Sequence, residues 1–124
     1  MTGDASLANR LESLFAAIDA QNTDAFLAFL TADGTFRFGS APALSGHDGI
    51  RAGVDDFFSS IAGSRHKLIN VLEKDRTLVC EGEVTYTRHD STALTLPFTN
   101  VFELDGALIS NYKIYIDITP LYSS

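Results

Sequence analysis

TALTLPFTNVFELDGALISNYKIYIDITPL, residues 92–121, reads as two long β-strands joined by a tight turn. Leu96, Phe98, Phe102 and Leu104 fall on one set of alternate positions, the period of a strand with one face on a core, and Asn100 interrupts that set. The LDG tripeptide (104–106) supplies the turn. Leu108 to Ile118 then alternates again, with Tyr112, Ile114, Ile116 and Ile118 on one face and Lys113, Tyr115 and Asp117 on the other.

The same period extends upstream. His66 to Glu73 and Leu78 to Arg88 read as strands, with EKDR (73–76) and HDS (89–91) as turns, so the second half of the chain predicts a four-stranded antiparallel meander. The first half has a different period. Leu7, Leu11, Leu14, Phe15 and Ile18 recur at helical spacing, predicting a helix that ends near Ala20 with Asp4 or Ser6 as cap. Asn22 or Thr23 can start a second helix with Phe26, Leu27, Phe29 and Leu30 on its inner side, closed by TADG with Gly34 in the turn. A short strand, Thr35 to Phe38, places Phe36 and Phe38 opposite Arg37. GSAPALSG (39–46) is loop by composition, and Asp48 can cap a third helix from Gly49 to about Ala62. Three helices followed by a sheet make one α+β domain over residues 1–124, the helices collected on one face of a curved, mostly antiparallel sheet.

Composition narrows the partners. A net charge of −7 speaks against an electrostatic hold on nucleic acid or anionic lipid, both of which need a basic surface. MTGDASLANR lacks the basic start and apolar core of a signal peptide, and no run approaches about 20 apolar residues, so a cytoplasmic protein is expected. Cys80 is the single cysteine and three His stand far apart, which predicts neither a disulfide nor a metal site, and no motif calls for a cofactor.

The order of LESLFAAIDAQNTDAFLAFLTADGTFRF (11–38), SGHDGIRAGVDDFF (45–58), HKLINVL (66–72) and LPFTNVFELDGALISNYKIYIDITPL (96–121) resembles the SnoaL-like branch of the nuclear transport factor 2-like superfamily. The resemblance implies a cone-shaped, cystatin-like half-barrel with an apolar cavity between helices and sheet, and a homodimer through the outer sheet face. It does not fix the chemistry. Where the superfamily's ketosteroid isomerases carry their Tyr, Asp base and protonated Asp, this chain holds Phe15, Phe38 and Asn100. Of the two carboxylates and Arg used by its epoxide hydrolases, Asp117 matches the acid of the final strand, but Glu83 and Thr85 stand near where the others would be.

If the face of Lys113, Tyr115 and Asp117 closes the cavity, Asp117 is the leading acid/base candidate, assisted by Tyr115 or His66. On that reading Ile114, Ile116 and Ile118 face outward and require a second copy of the chain to cover them. Phe15, Arg37, Phe38, Phe58, Tyr86, Phe98, Asn100 and Lys113 are candidates for ligand contact. Each has a plainer role: Asp117 as a strand-end cap or ion-pair partner, His66 as a hydrogen-bonded core residue, the aromatic residues as packing. Cys80 reads as inert core, and His47 and His89 as surface residues. Two functions follow: an apolar small molecule bound for cyclase, isomerase or dehydratase-type acid/base chemistry, or a non-catalytic binding or dimerisation module.

Overall fold

The computed structural model describes residues 7–122, so the expected cap at Asp4 or Ser6 lies outside the described residues. Helix α1, Leu7–Asp19, buries Leu7, Leu11, Leu14 and Phe15 along one stripe. Helix α2 is a single short turn, Thr23–Leu27, whose first exposed amides are capped by Asn22, the Oδ1 of which accepts from the Ala25 N–H at 3.1 Å. It stops earlier than expected because Leu30 already belongs to strand β1, Leu30–Phe38, where the Ile109 N–H donates to the Phe29 carbonyl at 2.8 Å.

The expected loop after Phe38 contains a two-residue strand β2, Leu44–Ser45, paired with Phe36 and Thr35. Helix α3, Gly46–Ser59, starts directly after it with an extended Ser45 at the cap position. Asp48 is therefore inside the first turn rather than at the cap, still on the helix end that favours a carboxylate.

The predicted meander is present as β3 (Gly63–Lys74), β4 (Thr77–Thr87), β5 (Ala93–Asp105) and β6 (Leu108–Tyr115). Sheet order is β2-β1-β6-β5-β4-β3, antiparallel except for the parallel pair of β1 with β6. All three turns of the meander use left-handed backbone: Asp75 between β3 and β4, Ser91 between β4 and β5, and Gly106 between β5 and β6. The chain then closes in a short 3-10 helix, Thr119–Tyr122.

The helices lie on one face of this curved, unclosed sheet, α1 along β3 and α3 along β1. Leu7, Leu11, Leu14, Leu78, Phe102 and Ile109 fill the solid part of the core. Register decides which strand faces meet them. Asn100 opposes Ile114 and Phe102 opposes Tyr112, so Tyr112 and Ile114 share the inner face with the buried residues of β5. An irregularity near Ser110 breaks the alternation and lets Ile109 and Tyr112 both point inward, three residues apart.

This reverses the expected faces of the last strand. Ile114, Ile116 and Ile118 look into the molecule, and Lys113 and Tyr115 look out. The physical reason is the ordinary one: with one face buried against helices, the aliphatic set goes inside and the charged set stays in water. The ground for a dimer through an exposed isoleucine face is thereby removed.

Candidate functional site

Between α1, α3 and the inner sheet face lies a cavity of about 560 Å³, within the range that takes a drug-sized ligand. Its wall is mainly aromatic and aliphatic: Phe36 and Phe38 from β1, Phe57 and Phe58 from α3, Phe98 from β5, Ile114 from β6 and Ile116 from the extended segment just after it. Phe57 anchors one side, meeting Phe38 edge-on at 4.7 Å and Tyr86 edge-on at 5.6 Å.

Ser64 and His66 alternate on the inner face of β3, so both side chains turn towards the end of α1. There Asp19, the last residue of that helix, receives three hydrogen bonds: Ser64 Oγ donates to Oδ1 at 2.8 Å, the His66 N–H to Oδ2 at 2.9 Å, and His66 Nδ1 to Oδ1 at 2.6 Å. Burial is the largest influence on this carboxyl and acts to raise its pKa. The hydrogen bonds from His66, the attraction to its ring and the Ser64 bond together outweigh burial and hold Asp19 below its ordinary value. An ionised carboxylate can only accept, so Nδ1 carries the proton and the neutral ring has its lone pair on Nε2.

The ring plane is fixed as well. His66 stacks on Phe15 with centroids 4.7 Å apart and meets Phe98 edge-on at 5.5 Å. Its Nε2 has no hydrogen-bond partner among the described residues, and the residue lines the cavity. An imidazole oriented by a carboxylate, with its basic nitrogen left free beside an apolar space, is equipped to take a proton from a bound molecule and return it.

Other polar groups around the cavity are less well satisfied. Asn100 is 2% exposed with an unpartnered Oδ1, and the buried Tyr112 hydroxyl is unpartnered too. Burial drives the Tyr112 and Tyr86 phenols well above their usual pKa, so both stay protonated. Near the mouth, Tyr122 and Ser60 share a hydrogen bond of 2.8 Å. Cys80 is fully buried and its thiol is pushed up to about 12 by burial, as an inert core residue should be.

Of the residues singled out in the sequence, the cavity brings together Phe38, Phe58, His66, Tyr86, Phe98 and Asn100. Phe15 lies one layer back, as the platform beneath His66. The others are elsewhere. Arg37 is exposed and its Nε donates to the Ala41 carbonyl at 3.1 Å, and Lys113 reaches Glu103 at 3.3 Å on the outer face. Tyr115 is 56% exposed. Asp117 sits in a shallow surface depression with Arg88 and Thr92, its Oδ1 accepting from the Thr119 N–H at 3.0 Å. Hydrogen bonding by Thr119 lowers its pKa, the opposite of the rise expected for a carboxylate in an apolar cavity. The strand-end cap is thus the role its geometry shows.

Asp19 escaped the sequence reading. Its partners stand 45 and 47 residues away, and the one local signal was an acid at a helix C-terminus, the end that favours a base. Among the described residues there is no cluster of side chains suited to a metal, and no helix is long and apolar enough to cross a membrane.

The fold is shared with solved structures of low sequence identity. An NTF2-like protein of unknown function from Burkholderia pseudomallei superposes with a TM-score of 0.83 at 17% identity, covering 92% of each chain. A proposed SnoaL-like polyketide cyclase from Jannaschia sp. CCS1 gives 0.81 at 14% identity, covering 92% of this chain and 87% of that one. An LEH-like epoxide hydrolase from M. tuberculosis gives 0.75 at 16% identity, covering 93% and 84%. No curated protein matches the sequence. The family model of the SnoaL-like domain matches residues 11–112, nearly the full span of helices and sheet, and the chain belongs to that family.

Proposed function

We propose that this protein binds an apolar, ring-containing small molecule in the cavity and performs proton-transfer chemistry on it, His66 acting as the acid/base group and Asp19 as the residue that positions it. The observation that carries this reading is the arrangement of the imidazole: Nδ1 tied to a carboxylate at 2.6 Å, Nε2 unpartnered, two aromatic rings holding its plane, and an apolar cavity in front. His66 Nε2 would take a proton from an acidic C–H or O–H of the ligand. The resulting imidazolium is stabilised by Asp19, and the proton is returned at another position or to a leaving oxygen. Isomerisation, cyclisation and dehydration all share that step. The cyclase and epoxide hydrolase among its structural relatives agree with small-molecule chemistry without selecting one reaction.

Proton transfer can be measured before the natural substrate is known. In D2O the protein should accelerate exchange of the α-hydrogens of 2-tetralone, a two-ring ketone, followed by NMR. His66→Asn, whose amide can still donate to Asp19, should lower the rate by about 100-fold, and Asp19→Asn by a smaller factor. Exchange that is unchanged in His66→Asn would refute His66 as the base. Ligand binding with no exchange in any variant would favour a non-catalytic binding protein.

A further inference from the structure

The charge of the cavity wall restricts what can enter it. Among the described residues that line it there is no Lys or Arg. Of the basic residues close in sequence to the lining, Arg37 is turned to the Ala41 carbonyl, Lys113 to Glu103, and Arg88 to the carbonyls of Pro120 and Leu121, while Arg65 and Lys67 alternate with the lining Ser64 and His66 along β3 and are exposed. Among the described lining residues His66 is the one group able to carry positive charge, and any charge on it is already matched by Asp19 at 2.6 Å. Asp56 adds an exposed carboxylate to the lining, and the whole chain carries −7.

An anion moved from water into this space would lose its hydration, meet aromatic faces whose quadrupole is negative, and find no free cation in return. The nearby carboxylates would repel it at short range and the net charge at longer range. A hydroxyl or carbonyl loses far less on entry, and a hydroxyl can donate to the free Nε2 of His66.

On the reading that the cavity holds a ligand beside His66, we propose that it admits uncharged ring compounds bearing hydroxyl or carbonyl groups and excludes their carboxylate and phosphate counterparts. The substrate then arrives neutral, as an alcohol, ketone, ester or lactone rather than a free acid.

Two fluorescent probes with the same three-ring frame, 9-anthracenemethanol and anthracene-9-carboxylate, separate the possibilities when titrated into the full chain at neutral pH. The alcohol should bind at least about tenfold more tightly than the carboxylate. Asp56→Lys, a change at an exposed residue, should bring the ratio below about threefold by strengthening the carboxylate. Equal or tighter binding of the carboxylate to the unaltered protein overturns the exclusion and leaves ligand binding intact. A ratio unmoved by Asp56→Lys overturns its electrostatic cause. Binding of neither probe overturns both this inference and the ligand-binding reading beneath it.

Discussion

Asp19 ends α1 where the helix's last carbonyls make the surroundings negative, and it is also part-buried. Both facts work against a carboxylate, so its three donors have a measurable task. Because its folded pKa lies below the ordinary value, Asp19 contributes stability at pH values above that ordinary value and loses it as pH falls through the depressed one. Asp19→Asn should therefore cost about 1–2 kcal/mol at neutral pH. The deficit should shrink towards zero as the pH falls through that depressed value and the native carboxyl becomes protonated too. Urea denaturation across that range checks it, and a deficit that does not depend on pH would mean that the charge on Asp19 contributes nothing.

Strand β3 shows how an element aims the site. Its register on β4 slips between Leu68 and Asn70, after the stretch that carries Ser64 and His66 to the inner face. Opposite Leu68 stands Gly82, where a Cβ would fall 2.0 Å from the Lys67 carbonyl oxygen, a backbone atom that cannot swing away. Gly82→Ala should destabilise the fold by about 3 kcal/mol or more, read as a lower urea midpoint. It should also weaken His66's hold on Asp19 by shifting β3. An unchanged midpoint would show that β3 and β4 separate freely there.

Period and turn chemistry made the four strands of the meander and α1 legible in the sequence, since EKDR, HDS and LDG sit where β3, β4, β5 and β6 are joined, whereas β2 reads as loop and the first half of β1 as helix end. The inward face of β6 was not legible from that strand alone. Its isoleucines could cover a cavity or a partner, and only the register of Asn100 against Ile114 decides between them. The candidate site was half legible for a related reason: the wall residues alternate within single strands, whereas the bond from Asp19 to His66 spans two elements with no local pattern.

For the whole molecule, the turned strand moves any interface to different residues. The outer face now presents the paired Val79 and Val101 beside Tyr115, with Glu81, Glu83 and Lys113 around them. We propose that two copies meet there, as the resemblance to the superfamily implies, on a patch more polar than an isoleucine face would have been. Sedimentation at micromolar concentration should give a dimer that Val101→Lys converts to monomer without loss of fold. A monomeric unaltered protein would contradict the pairing.

An imidazole held by Asp19 with its other nitrogen open to the cavity is the centre of the proposed site, and long-range 1H–15N NMR of His66 reads both properties in one experiment. In the neutral ring, Nδ1 should be protonated and Nε2 unprotonated, with the Nε2 resonance shifting on addition of 9-anthracenemethanol. A proton on Nε2 in the neutral ring, or an Nε2 resonance unmoved by a bound alcohol, would contradict this arrangement.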